Sequence, residues 1–109
     1  MPKATANRPR LLPWSENGKR VYLHAGDPKG VISRLADEME EAQLGAGREV
    51  LGAARTLLDD PDASRPELRF TATRLTECLF DALRIAESRG ERLADDEDDD
   101  EDEGEAEDR

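Results

Sequence analysis

Two stretches of this chain place an apolar residue every three or four positions, and that spacing leaves few folds open. Ile32, Leu35, Met39, Ala42, Ala46, Val50, Ala53 and Leu57 make the first series; Leu68, Ala72, Leu75, Leu79, Ala82 and Ala86 make the second. A helix turns once in about 3.6 residues, so each series lies along one helical face and needs another element to cover it. The spacing predicts a helix over 31–58 and a second over 64–90, each about 40 Å long, with Cys78 and Ile85 beside the second stripe. Only Asp59-Asp60-Pro61-Asp62-Ala63 separates them, which forces an antiparallel turn-back.

Local signals sharpen those limits. Ser64-Arg65-Pro66-Glu67 has the form of a capping box, with Pro66 in the first turn, where its missing N–H does no harm. Gly90 is the expected C-terminal stop. Gly45, Gly47 and Gly52 weaken the first helix by up to about 1 kcal/mol each, and imply either close packing or a break near 44–47. In the antiparallel arrangement Asp37, Glu38, Glu40 and Glu41 lie near Arg84, Arg89 and Arg92, which favours that orientation.

Ahead of the helices, Asn17-Gly18 can take the positive φ angles of a two-residue hairpin turn. Folding there pairs Glu16 with Lys19, Trp14 with Val21 and Leu12 with Leu23. Alternation then puts Leu12, Trp14, Val21 and Leu23 on one face, with Pro13 and Tyr22 on the other. Such a hairpin, over 11–24, is marginal alone and must dock on the helices, with Trp14 as its anchor. Gly26 to Gly30 reads as a turn in which Asp27-Pro28 can cap the next helix. The expected fold is therefore mainly α. An N-terminal β-hairpin packs on a long antiparallel two-helix hairpin, forming one small domain over 11–93. A flexible basic arm over 1–10 precedes it, and a disordered acidic tail over 94–109 follows.

The tail follows from charge. Residues 94–109 hold twelve acids against Arg109, a balance of -11, and cannot bury enough apolar surface to offset the entropy of ordering. Residues 1–30 are basic, at +4, and 31–93 stand at -4. The net charge of -11 disfavours binding to nucleic acid or anionic membranes. No apolar run reaches the roughly 20 residues needed to span a bilayer, and the N-terminus lacks the apolar core of a secretion signal, so the expected location is the cytoplasm.

Catalytic chemistry finds little purchase. His24 is the only histidine, which rules out a two-histidine metal site within one chain and leaves an ordinary surface residue as the simplest reading. Cys78, the only cysteine, sits among Leu75, Leu79 and Ala82 on the helix and reads as a buried thiol. Gly26-Asp27-Pro28-Lys29-Gly30 lacks the length and the Lys-Ser/Thr ending of a phosphate-binding loop. The expectation is a protein that is not an enzyme, with no cofactor, metal or small-molecule substrate.

Seven short segments occur in order before the acidic end: Leu12-Pro13-Trp14, Gly18-Lys19, Tyr22-Leu23, Ser33 to Asp37, Gln43 to Gly45, Arg74 to Glu77 and Arg84 to Gly90. Together they resemble short, uncharacterised actinobacterial proteins, and the similarity covers most of the folded part. The resemblance implies a domain family and no activity. An arginine excess over lysine, thirteen to three, fits a GC-rich bacterial genome. Two helices at this length are also similar to the small WXG-type secretion substrates, whose Trp-x-Gly lies between the helices. Here Trp14 precedes both, and that likeness fails.

Function is expected to lie in binding. Two helices and one hairpin leave apolar surface uncovered, with Phe70 and Phe80 off the main stripe widening it. A homodimer or a protein partner would cover that surface, making the chain an interaction or regulatory module whose acidic tail tunes the encounter. Two other readings compete. The tail can mimic nucleic acid and occupy a basic surface, or the basic head can bind nucleic acid weakly. In the latter, Lys3, Arg8, Arg10, Lys19 and Arg20 contact phosphate while Trp14 or Tyr22 stack on bases. The candidate interaction residues are thus Trp14, Tyr22, Arg10, Arg20, Phe70 and Phe80.

Overall fold

A computed structural model describes residues 9–24 and 30–107, with side chains up to residue 94. Strands β1 (Arg10–Glu16) and β2 (Lys19–Leu23) form an antiparallel hairpin, followed by helices α1 (Val31–Leu58) and α2 (Arg65–Glu107). The protein is mainly helical with an N-terminal hairpin, the architecture expected from the sequence. The remainder of the basic arm before Pro9 and the turn with its Asp27-Pro28 cap lie outside the described residues. Arg10 belongs to β1 rather than to the arm.

The hairpin turns where expected. Asn17 and Gly18 have φ of 51° and 75°, the left-handed pair that a tight turn of this type requires. Glu16 faces Lys19 and Ser15 faces Arg20, but beyond them the ladder slips, so that Leu11 pairs with Tyr22 and Arg10 with Leu23. The expected partnership of Leu12 with Leu23 is therefore wrong, since Leu23 faces Arg10, while Trp14 and Val21 fall in the irregular stretch between the two registers. Pro13 lies in the irregular stretch. It has no N–H to give a ladder, and the strand accommodates it by bulging. The bulge turns Leu11, Leu12 and Pro13 inward together, while Trp14 is only half-buried. These three residues, rather than Trp14, anchor the hairpin.

α1 is unbroken across 44–47. A Cβ on Gly47 would lie 4.0 Å from Cys78 Cβ, an ordinary contact across the helix pair, whereas Gly45 and Gly52 face open space. Gly45→Ala and Gly52→Ala should therefore each stabilise the protein by about 0.5–1 kcal/mol, read as a rise in the urea midpoint. Gly30, whose φ of 66° suits glycine, is the residue that precedes α1, and among the described residues no side chain hydrogen-bonds to cap this end.

At the inter-helix turn the capping box forms in both directions. The Glu67 N–H donates to Ser64 Oγ at 3.2 Å, and the Ser64 N–H donates to Glu67 Oε1 at 3.0 Å. Those bonds, the Ser64 backbone amide foremost and its hydroxyl next, hold the Glu67 carboxyl below the usual glutamate range. A carboxyl lowered in the folded state contributes stability at neutral pH, and that contribution is lost as pH falls through its folded value. Ser64→Ala should cost about 1 kcal/mol at neutral pH. The difference from the parent should shrink in denaturation curves taken in acid.

Gly90 does not stop α2, which continues to Glu107. A glycine ends a helix by adopting a left-handed conformation, and Gly90 is not among the glycines with positive φ. The boundary expected at residue 90 is thus replaced by a backbone helix that enters the acidic run. Like charges spaced four apart, and acids at a helix C-terminus, both oppose helix formation. This stretch extends a helix nucleated and packed further upstream.

The phase of both helices also differs from expectation. On α1 the buried positions are Ala36, Glu40 and Ala54, with Leu35 and Met39 turned outward. On α2 they are Ile85 and Ser88, while Leu68 and Leu79 are exposed. The buried faces are thus rotated away from the apolar series and run through polar residues, for a reason found where the hairpin meets the helices.

Candidate functional site

Slipping the β1 ladder displaces carbonyls that need new donors. Gln43 Nε2 donates to the Pro13 carbonyl at 2.9 Å, and Ser88 Oγ donates to the Leu11 carbonyl at 2.9 Å. Arg92 Nη1 in turn donates to Ser88 Oγ at 2.6 Å, and Arg84 Nη1 donates to Ser15 Oγ at 2.9 Å. Polar residues therefore occupy inward positions on both helices because β1 supplies their partners.

Glu40 lies at the centre of this junction, only 2% exposed. Arg10 Nη2 donates to its Oε2 at 3.3 Å, and Arg89 Nη2 to its Oε1 at 3.4 Å, with Arg92 Nη2 at 3.7 Å. Arg10 also donates to Asp37 Oδ1 at 2.7 Å and to the Ser33 carbonyl at 3.2 Å, and Arg89 reaches Glu41 at 3.5 Å. Burial, and then the Arg10 charge, pull the Arg92 guanidinium below the ordinary arginine value. The expected pairing of α1 acids with α2 arginines holds for Glu40 and Glu41 with Arg89, and for Glu40 with Arg92. Asp37 instead joins Arg10, and Arg84 pairs with Asp81 on its own helix at 2.9 Å.

The six candidate interaction residues do not converge. Arg10 is locked into the Glu40 junction. Arg20 forms a two-pronged ion pair with Glu87, and a hydrogen bond with Tyr22, the larger influence, joins it in raising the arginine's proton affinity. Tyr22 is exposed on β2. Trp14 is half-buried on β1. Phe80, 62% exposed, lies under Arg84 with the guanidinium carbon 5.0 Å from the ring centre. Arg20 and Phe80 share a cleft of about 350 Å³ with Ser15, Leu83, Arg84 and Glu87. Phe70, 68% exposed, lies nearly three turns of α2 from Phe80 and lines none of the clefts described. Of the five cations offered for phosphate contact, Arg10 and Arg20 are already held by carboxylates, and Lys3 and Arg8 lie outside the described residues.

A second surface went unmarked among those candidates. Between α1 and α2 runs a groove of about 340 Å³, with Leu44, Gly47, Leu51, Leu75, Cys78, Leu79 and Ala82 along it and Arg48 as its charged member. Towards the inter-helix turn a further hollow of about 120 Å³ continues it between Leu57, Leu58, Leu68 and Ala72. The second apolar series thus lines a groove instead of a core. Gln43 stands at one end, with its Oε1 buried and without a hydrogen-bond partner. Noting that Leu44, Leu51 and Leu58 recur every seventh residue beside the main α1 stripe would have located it.

Cys78, half-buried in the groove, is a free thiol, and His24 is exposed at the end of β2. Among the described residues no group of three or more His, Cys, Asp or Glu is arranged to hold a metal ion. Within the same residues no helix is long and apolar enough to cross a membrane. Compared with protein-family models, with curated proteins and with solved structures, the chain matches none.

Proposed function

We propose that this protein is a non-catalytic interaction module of the cytoplasm, whose binding face is the apolar groove between α1 and α2. The observation that carries this reading is the exposure of the groove's leucines. Leu79 is 60% exposed and Leu58 is 74% exposed, on a chain otherwise dominated by charge. Exposed apolar surface of this continuity marks a docking site. Leu51→Glu, which puts a charge on the groove wall, should abolish capture of the bound protein by tagged full-length chain while leaving the circular dichroism unchanged. Unchanged capture would overturn the reading.

One observation favours a second reading, nucleic-acid mimicry by the acidic end. Residues 95–107 hold eleven acids on a helical backbone. At about 1.5 Å rise per residue this is one negative charge per roughly 1.8 Å, close to the one per about 1.7 Å of a DNA duplex. Deleting 95–109 should then weaken binding to a basic partner with a steep salt dependence. No change at low salt would dispose of mimicry.

A further inference from the structure

The second apolar series of α2 is shaped to meet a copy of itself. Leu68, Ala72, Leu75, Leu79, Ala82 and Ala86 are spaced four, three, four, three and four, the seam of a helix that packs side by side with another. α1 does not use this seam fully. Leu75 and Ala82 are half-buried against it, whereas Leu68, Ala72, Leu79 and Ala86 are exposed. We infer that two copies associate through this seam in an antiparallel, two-fold dimer, closing the groove between them. This rests on the interaction reading above and names its partner.

The spacing is palindromic about Glu77. An antiparallel copy sets Leu68 opposite Ala86, Ala72 opposite Ala82, and Leu75 opposite Leu79, so leucines meet at the centre, alanines meet in the next layer, and Leu68 faces Ala86 at each end. Charge selects the same direction. Arg65 and Arg69 flank the seam near the start of α2, and Glu87 lies on that flank near the other end, held in place by Arg20. Antiparallel docking brings each Glu87 between Arg65 and Arg69 of the other copy, whereas parallel docking puts these flanks on opposite sides of the seam, where they do not meet.

The acidic ends weigh more heavily. From Glu77 to Asp95 is about 27 Å of helix, so antiparallel copies hold their acidic ends roughly 50 Å apart, several screening lengths at physiological salt. Parallel copies would place them side by side. Leu44, Leu51 and Leu58 widen the face to two helices, and a patch roughly 28 Å by 20 Å gives about 550 Å² per copy, near the lower bound for a specific interface. An interface this small suits a reversible dimer.

Sedimentation of the full-length chain across a wide concentration range should show the mass rising from 12.1 kDa towards twice that value. Leu79→Glu should weaken association at least tenfold without loss of helical circular dichroism. Ala86→Glu, at an exposed position, should do the same if Leu79→Glu perturbs the fold. In a Cys78→Ser background, oxidising a mixture of Leu68→Cys and Ala86→Cys chains should give a disulfide between them, and Leu68→Cys alone should give none. A monomer at every concentration, undiminished association of both glutamate variants, or self-crosslinking of Leu68→Cys would each overturn the dimer. If a monomeric parent still captures a protein that Leu79→Glu does not, the dimer fails and the interaction reading stands. If it captures nothing, both fail.

Discussion

Replacing Glu40 with alanine should destabilise the protein by about 3 kcal/mol, a large share of what a domain this small possesses. The reason is an imbalance the substitution leaves behind. Three guanidinium groups, from Arg10, Arg89 and Arg92, surround that carboxylate, and the Arg10 side chain is itself mostly buried. Without Glu40, Arg10 retains Asp37 and the Ser33 carbonyl, and Arg89 retains Glu41, which keeps the loss at the lower end of the range for a broken buried pair. Glu40→Gln preserves the shape but not the charge, and should cost about 1–2 kcal/mol. Glu38→Ala, at an exposed position two residues away, should shift stability by no more than about 0.5 kcal/mol. Urea denaturation followed by helical circular dichroism ranks the three. Equal losses for Glu40→Ala and Glu38→Ala would contradict a charge-centred junction.

Leu11→Ala should cost about 2–4 kcal/mol, because Leu11 is among the most deeply buried large side chains and its removal leaves a void that the bulged strand cannot refill. Phe70→Ala removes a bulkier side chain yet should change stability by less than about 0.5 kcal/mol, since that ring stands in solvent. Measuring both by chemical denaturation separates burial from hydrophobicity. A loss at Phe70 equal to that at Leu11 would mean the ring is covered in solution, as a docked partner would do.

Element identity was legible in the sequence because each signal for it is local. The Asn17-Gly18 turn, the Ser64–Glu67 cap and the three-and-four spacing act over a few residues, and each appears where expected. The facing of the helices was not legible, because it depends on the hairpin. Apolar spacing marked Leu35 and Met39 as core, yet the inward line of α1 passes through Glu40 and Gln43. Their polar groups become tolerable inside only when Arg10 and the Pro13 carbonyl arrive from thirty residues upstream. One local clue to that arrangement was present. A proline within an Asn-Gly hairpin strand implies a bulge, and a bulge implies carbonyls seeking donors elsewhere. Of the candidate site residues, aromatic content drew attention to Phe70 and Phe80, while the groove is lined mainly by leucines of an ordinary amphipathic helix.

The passage of α2 through Gly90 into the acidic run has a further consequence. One continuous helical backbone joins a packed segment to a run of acids, with no stop residue between them. Each carboxylate neutralised, by a proton or by a bound cation, removes repulsion between successive turns and lets the helix advance. Helical circular dichroism should therefore rise as the pH is lowered or cations are added, and a signal that stays constant would show that charge does not limit this segment.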